Sequence, residues 1–395
     1  MQKGYKARIY PTKEQQIIIK QTFGACRYVY NYFLAERIRA YKEEGVCLSC
    51  YQTQKQLTAL KRDKEHLWLA GIDSMALQES LKNLDRAYKN FFDGNARFAR
   101  FHSKHGKQAF RTRNQDNGIR IVGNRIKIPR IGFVKFKGVK KFTGRILNAT
   151  ISMACSGKYY ISLCVEQDDA LLINGGGMIG LDVGIKEFYT DSNGNIISNP
   201  RTYRKHEKKL VREQRNLSRK QKDSNNRKKQ RIRLAVQYEK VTNIRKDFLH
   251  KLSHTLAIEN QVVCVENLNI KGMLKNRHLA KSISDVSWSE FFRQLAYKTK
   301  MYGGIVVKVP TFYPSSQICS CCGYQNPIIK SLAIRAWDCP KCGIHHDRDR
   351  NAAINILNKG LEILNKLRVP WGTRELLKSY ACGHYVRRSF ECGDG

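Results

Sequence analysis

The sequence is short of acid. Its 395 residues include 33 Asp and Glu against 72 Lys and Arg, a formal net charge of +39. A surface that repels itself so strongly calls for a polyanionic partner. Nucleic acid is the first candidate, because each neutralised phosphate also releases a condensed counterion. A second absence argues against a membrane surface. No run of about 18 apolar residues occurs, and no basic stretch carries the Trp- or Leu-rich face that would lie in a bilayer interface. The first residues, "MQKGYKARIY", lack the apolar core of a secretory leader. The expected location is the cytoplasm, with association to a bacterial or archaeal nucleoid when DNA is bound. Internal repeats are also missing. The 13 cysteines are too few for this length, and too clustered, to form a disulfide framework. In a reducing compartment such clustering reads as a metal site.

What is present divides into two to four domains by length. Residues 1 to 10 alternate like a strand. Pro11 and Thr12 then announce a long helical period, which continues through 51 to 62 and 74 to 92, so 11 to 107 reads as a helical insert. Cys47 and Cys50 lie in it with no second pair nearby, a chance pair in a helix–helix loop. Tyr28, Tyr30, Tyr32 and Phe33 read as helical core. From about 108 to 172 the pattern turns β. "IRIVGNRIKIP" forms a hairpin at Gly123-Asn124, and "ILNATISMACSGKYYISLCVEQ" forms two strands joined at Ser156-Gly157. With the first strand these make a small basic β-barrel or sandwich, split by the helical block. "INGGG" (173 to 177) reads as a linker. After it come a buried strand "MIGLDVG", a hairpin "FYTDSNGNIIS", two long helices over 203 to 258, a strand "QVVCVENL", a helix near 287 to 302 and a strand "GIVVKVP". That order describes an α/β domain with a mixed sheet. Residues 369 to 395 show no period and read as a loosely ordered tail.

Three constellations carry chemistry. Cys319-x-x-Cys322, sixteen residues, then Cys339-x-x-Cys342 has the spacing of a four-cysteine zinc ribbon, with Gly323 and Gly343 just after each knuckle. Cys321 is an extra thiol expected to point away from the metal. His345 and His346 are spare ligand candidates, better read as solvated or facing nucleic acid. The second constellation is Asp182, Glu266 and Asp349, three acids at the ends of core elements. Each would be costly to bury unless paired or bound to a cation. They form either a divalent-metal site, in which two ions about 4 Å apart activate water and stabilise a leaving oxygen, or a set of partners for buried arginines. In "HHDRDRNAAINIL" the helix is expected to begin at Arg350 or Asn351. Ala352, Ala353 and Ile356 then share the buried face of Asp349. Asp347 sits in a loop, where it caps the helix or meets a basic neighbour. The third constellation is the run from 201 to 233. It holds fifteen Lys and Arg, among them Lys208, Lys209, Arg212, Arg215 and Arg219. A charge run is commonly a solvated face; here its density and the global charge favour a nucleic-acid groove.

With those residues in view, the chain resembles the TnpB family of transposon-encoded, RNA-guided DNA nucleases, related to type V CRISPR effectors. The likeness runs through "YKARIYPTKEQQ…FGACRYVYN", "ALQESLKNLDRAYKNFF", "GLDVGIKEF", "VVCVENLNIKGM", "SSQICSCCG…WDCPKCG" and "CGIHHDRDRNAAINIL". It implies a multidomain α/β protein: a RuvC-type, ribonuclease-H-like nuclease (173 to 318 and 346 to 368) with an inserted zinc ribbon (319 to 345), a split β-barrel wedge domain (1 to 10 and 108 to 172) and a helical recognition lobe (11 to 107). It implies Asp182, Glu266 and Asp349 as catalytic carboxylates holding Mg²⁺ or Mn²⁺, with structural Zn²⁺ on the four cysteines. The implied partners are a guide RNA from the transposon end and double-stranded target DNA, bound by a monomer on one RNA. Tyr51, Ser74, Gln78 and Asn114 stand at positions where the resemblance suggests readers of the motif beside the target. Two other activities suit the same scaffold: an RNA-guided DNA-binding repressor that does not cut, and a transposase that transfers DNA strands. Three intact acids argue against the first. The lack of a separate transposon-end-binding module argues against the second.

Overall fold

The computed structural model describes residues 2–138, 143–168, 172–331 and 333–366. The tail expected from 369 on, and the last two residues of the 346 to 368 segment, lie outside them. The chain divides into two compact units, residues 1–169 and 170–395.

The first unit opens with strand β1 (Gln2–Tyr10), then helices α1 (Lys13–Glu44), α2 (Cys50–Leu60) and α3 (Ser74–Phe92). Thr12 and Gln15 close a reciprocal capping box at the start of α1. Asp73 caps α3 through Met75 N and takes the Thr112 hydroxyl on its other oxygen at 2.5 Å. The helical reading of 11 to 107 holds only to Phe92. Gly94, with φ +70°, follows the end of α3, and no helix forms from 93 to 107. That segment is tied down by Asn31, whose amide exchanges bonds with the His102 backbone at 3.0 and 2.7 Å, and by His102 stacked on Tyr30 at 3.8 Å. Tyr30 and Phe33 are buried, as expected of core; Tyr28 and Tyr32 are half-buried at its margin.

Six more strands follow: β2 (Gln108–Arg113), β3 (Arg120–Val122), β4 (Arg125–Ile128), β5 (Gly132–Lys137), β6 (Arg145–Met153) and β7 (Tyr159–Glu166). Both expected turns are present, with Gly123 and Gly157 at positive φ. The expected barrel or sandwich is a single seven-stranded antiparallel sheet of order β2-β6-β7-β1-β5-β4-β3. The strand that precedes the helices therefore sits in the middle of the strands that follow them. Ala7 and Ile9 of β1 join one core with Phe33 and Leu34 of α1, Leu77 and Leu81 of α3, and Ile151 and Ile161 of the sheet.

The second unit contains β8 (Gly177–Val183), β9 (Glu187–Asp191), β10 (Ile196–Ser198), α4 (Thr202–Ser218), α5 (Asn225–Glu259), β11 (Asn260–Glu266), α6 (Ile270–Met273), α7 (Ala280–Val286), α8 (Trp288–Met301), β12 (Ile305–Val309), β13 (Ala336–Asp338), β14 (His345–Asp347) and α9 (Arg348–Lys366). The mixed sheet has the order β10-β9-β8-β11-β12, with β8, β11 and β12 parallel and the hairpin strands antiparallel. Leu249 and Leu256 of α5 and Phe291 and Leu295 of α8 pack with Val263, Val265 and Phe188 in one core. Ile356 and Leu364 of α9 pack with Val262, Cys264 and Val307 in another. Strand residues alternate between the two cores because successive side chains point to opposite faces. Helix α9 lies close on β8. A Cβ at Gly180 would stand 2.1 Å from the Ala353 carbonyl oxygen and 2.7 Å from Leu357 N, both backbone atoms. We expect Gly180→Ala to destabilise this unit by about 3 kcal/mol, the upper part of the range for overpacking, seen as a fall in thermal midpoint. An unchanged midpoint would show that α9 has room to move.

Candidate active site

Asp182 is the penultimate residue of β8, and Glu266 ends its parallel neighbour β11, where Val265 pairs with Leu181. The two carboxylates thus leave adjacent parallel strands at their C-terminal ends. Asp349 lies in the first turn of α9. All three line one cavity of about 870 Å³, together with Ser315, Arg335 and Arg348.

The three acids share the cavity without forming a group whose ligand atoms all lie within 4.8 Å of one another, and burial acts on two of them. Burial, and then the charges of Glu266 and Asp349, push the Asp182 pKa well above the carboxylate range, while Arg348 and Arg335 oppose the shift. Burial also raises Glu266, opposed by the Ser315 hydroxyl, which donates to Glu266 Oε1 at 2.9 Å. Asp349 pairs with Arg335 at 3.5 Å. Hard oxygen donors whose mutual repulsion a divalent cation would relieve fit Mg²⁺ or Mn²⁺. The sign of the pH effect follows. A carboxyl whose pKa is raised by folding opposes folding only when ionised, so the cost is absent below the ordinary carboxylate range and grows as pH rises through it. Added Ca²⁺ should therefore raise the thermal midpoint more at about pH 7 than at about pH 4. Equal shifts at both would place the cation elsewhere.

The start of α9 differs from the expectation. The helix begins at Arg348, not at Arg350 or Asn351, and Asp347 is the last residue of β14 rather than a loop residue. The reason is the β13–β14 hairpin, which pairs Trp337 with His346 and Ala336 with Asp347 and runs straight into the helix. Asp347 Oδ1 accepts from Arg350 N at 2.9 Å, which caps the helix. Ala352, Ala353 and Ile356 are buried, as their spacing predicts.

The four thiols of Cys319, Cys322, Cys339 and Cys342 lie within 4.8 Å of one another, a soft donor set of the number and type that suit tetrahedral zinc. Each knuckle is closed by two backbone bonds. Cys319 N donates to Tyr324 O and Gly323 N to Cys319 O; Cys339 N donates to Ile344 O and Gly343 N to Cys339 O. Gly323 and Gly343 have φ of +74° and +72°, which a side chain would strain. Cys321 is exposed and stands outside the thiol cluster. The reading of His346 as solvated is corrected: it is buried, packs on Trp337 at 4.8 Å, and places Nε2 3.0 Å from Cys319 Sγ. Alternation in β14 turns it inward, while His345 faces out and bonds Asp338 at 2.6 Å.

Lys208, Lys209, Arg212 and Arg215 on α4, and Arg219 just beyond it, are all exposed. Tyr51 is exposed at the start of α2, Ser74 Oγ accepts from Lys61 Nζ at 3.1 Å, and Gln78 is half-buried on α3. Both ends of the Asn114 amide are engaged within its own unit, donating to Ile146 O at 2.9 Å and accepting from Ile119 N at 2.8 Å. Cys47 is exposed, Cys50 begins α2, and neither joins a group of metal-ligating side chains among the described residues. Sequence reasoning missed Ser315, Arg335 and Arg348. None belongs to a periodic pattern, and each reaches the cavity through tertiary packing.

Three family models match: "Probable transposase" over residues 162–277, "Cas12f1-like, TNB domain" over 288–356 and "Helix-turn-helix domain" over 1–46. Residues 2 to 44 are, however, a strand followed by one uninterrupted 32-residue helix. Two similar proteins bear the name "Putative RNA-guided DNA endonuclease". One, from Streptomyces pristinaespiralis, is 36% identical over 91% of this chain and 90% of its own. The other, InsQ of Escherichia coli strain K12, is 33% identical over 91% and 93%. A chain solved in a Cas12f1–sgRNA–target DNA complex shares the fold, with a TM-score of 0.58, 14% identity and coverage of 91% of this chain and 99% of its own. No helix among the described residues is long and apolar enough to cross a membrane.

Proposed function

Since the chain belongs to the TnpB family, we propose that it is an RNA-guided DNA endonuclease that hydrolyses target DNA beside a short transposon-associated motif, using two divalent ions. The observation that carries this reading is the convergence of Asp182, Glu266 and Asp349 on one cavity. Those three residues would hold the ions, and Cys319, Cys322, Cys339 and Cys342 a structural zinc. When bound, the divalent ions activate water and stabilise the leaving oxygen of a phosphodiester. The chain's own groups prepare the site. Ser315 fixes the orientation of Glu266 by donating to Oε1. Arg335 holds Asp349 through an ion pair, and Arg348 adds a second cation on the same cavity wall, so anionic DNA meets positive charge beside the carboxylates. Base pairing to the guide supplies the sequence readout.

In this reading residues 1 to 10 and 108 to 172 serve as the wedge and 11 to 107 as the recognition lobe, with Tyr51, Ser74 and Gln78 facing the motif, while Asn114 spends its amide on Ile146 O and Ile119 N. The protein acts as a monomer on one RNA. Lys208, Lys209, Arg212, Arg215 and Arg219 track phosphates. Replacing the first four with Ala should reduce the slope of log affinity against log salt by roughly 3, near the 0.7 to 0.9 expected per lost phosphate contact. An unchanged slope would leave α4 a solvated face. The function itself is tested by purifying the protein from its native host and sequencing the bound nucleic acid. One discrete RNA that directs cleavage of a matching DNA is the expected result. Random RNA would sink the proposal, and strand-transfer products in place of simple breaks would favour the transposase reading.

A further inference from the structure

Two buried asparagines tie the zinc knuckle to the catalytic carboxylates. Asn351 and Asn355 stand four residues apart on α9 and are 1% and 4% exposed, so they share a face. Asn351 Oδ1 accepts from Ser320 N at 2.9 Å, and its Nδ2 donates to Ile318 O at 2.7 Å. These two contacts bracket Cys319, the first thiol of the cluster. Asn355 Nδ2 donates to the same Ile318 oxygen at 2.6 Å and to Ser315 O at 2.8 Å. Ser315 in turn donates its hydroxyl to Glu266. A continuous hydrogen-bonded path thus runs from the backbone around a zinc thiol, through two side chains of the helix that carries Asp349, to the residue that orients Glu266. A buried amide left without its partner loses its hydrogen bond and keeps its desolvation cost, so the path resists being broken at one point.

We propose that Asn351 and Asn355 are positioning residues that couple the two metal sites, so that zinc in the ribbon strengthens divalent-ion binding at Asp182, Glu266 and Asp349. The inference rests on the two metal sites of the preceding reading and adds an energetic link between them. Each partner of the path has a definite role. The knuckle fixes Ile318 and Ser320; those fix the face of α9 that sets Asp349 over the strand ends; and Asn355 sets the backbone from which Ser315 reaches Glu266. Coupling between two binding sites is reciprocal. Catalytic ions must therefore raise the affinity for zinc by the same factor by which zinc raises theirs.

That reciprocity gives a test that needs no cleavage. The full-length, zinc-loaded protein with its guide RNA is titrated with a chromogenic zinc chelator, with and without Mg²⁺, and the zinc dissociation constant is read from the competition at equilibrium. Asp349→Asn serves as the control for any effect of Mg²⁺ on the chelator. We expect Mg²⁺ to lower the zinc dissociation constant about fivefold or more in the wild type, the lower end of ordinary coupling. In Asn355→Ala the ratio should fall below about twofold. Ser315→Ala leaves every ribbon contact of α9 in place and should also reduce the ratio; it carries the test if Asn355→Ala does not fold. Zinc affinity that is indifferent to Mg²⁺ in the wild type, or equally sensitive in both variants, overturns the coupling and leaves both metal sites standing. A purified protein without zinc overturns the ribbon reading and the coupling with it.

Discussion

Asp349→Asn is expected to lower Mg²⁺-dependent cleavage by roughly a thousandfold, the upper end for removing one group aimed at a reacting centre, while guide and target binding persist. The substitution keeps shape and removes the negative charge that a hard cation needs. Asp349 lines the cavity with Asp182 and Glu266, and its charge is felt at Asp182. Asp347 is the contrasting case two residues away. Its oxygen caps α9 through Arg350 N, a task an asparagine performs equally well. Asp347→Asn should therefore retain cleavage within about tenfold, and Asp347→Ala should cost about 1 kcal/mol of stability through the lost cap. Cleavage and binding measured in parallel decide the matter; the reverse ranking would mean that the wrong aspartate has been placed in the site.

Cys339→Ser should have the second large effect. Structural zinc contributes folding free energy directly, and the ribbon's own apolar core is small: Cys319, Ile329, Trp337 and Cys339, with Cys322 and Ile334 beside them. Loss of one thiolate should drop the zinc stoichiometry from one to near zero and open residues 319 to 345 to limited proteolysis, with the sheet cores still resistant. A variant that is free of zinc yet protease-resistant and fully active would remove the metal from the account of this module.

The thiols stood out in the sequence by their spacing, and the acids by their place at the ends of core elements, where spacing alone left a metal site and partners for buried arginines both open. An acid inside an apolar strand is costly, and a cysteine pair closed by glycine has one common use. Helices with strong periodicity were legible locally: α3 spans Ser74–Phe92, as its apolar spacing predicts. What could not be read is set by neighbours distant in sequence. The contact of Ser315 with Glu266 spans 49 residues. Arg335 reaches Asp349 only because β13 and β14 fold back on each other. His346 is buried by strand alternation in a three-residue strand too short to show a period. The single sheet of the first unit, expected as a barrel or sandwich, depends on strand order, which hydrophobic alternation does not encode.

That sheet bears on how the protein is made. Gln2 pairs with Glu166, and Tyr10 pairs with Lys135. A ribosome adding about 5–20 residues per second leaves β1 without its β7 partner for roughly ten to thirty seconds. Until β5 emerges the nascent strand has two open edges, and until β7 emerges one, the condition that invites pairing with other chains. Lys3, Lys6 and Arg8 are spaced along it, and like charges oppose pairing between two copies. When β1 does insert, it joins β2-β6-β7 on one side to β5-β4-β3 on the other. A chain begun after Tyr10 would therefore emerge with two separate three-stranded sheets, each carrying an edge that the intact protein never exposes.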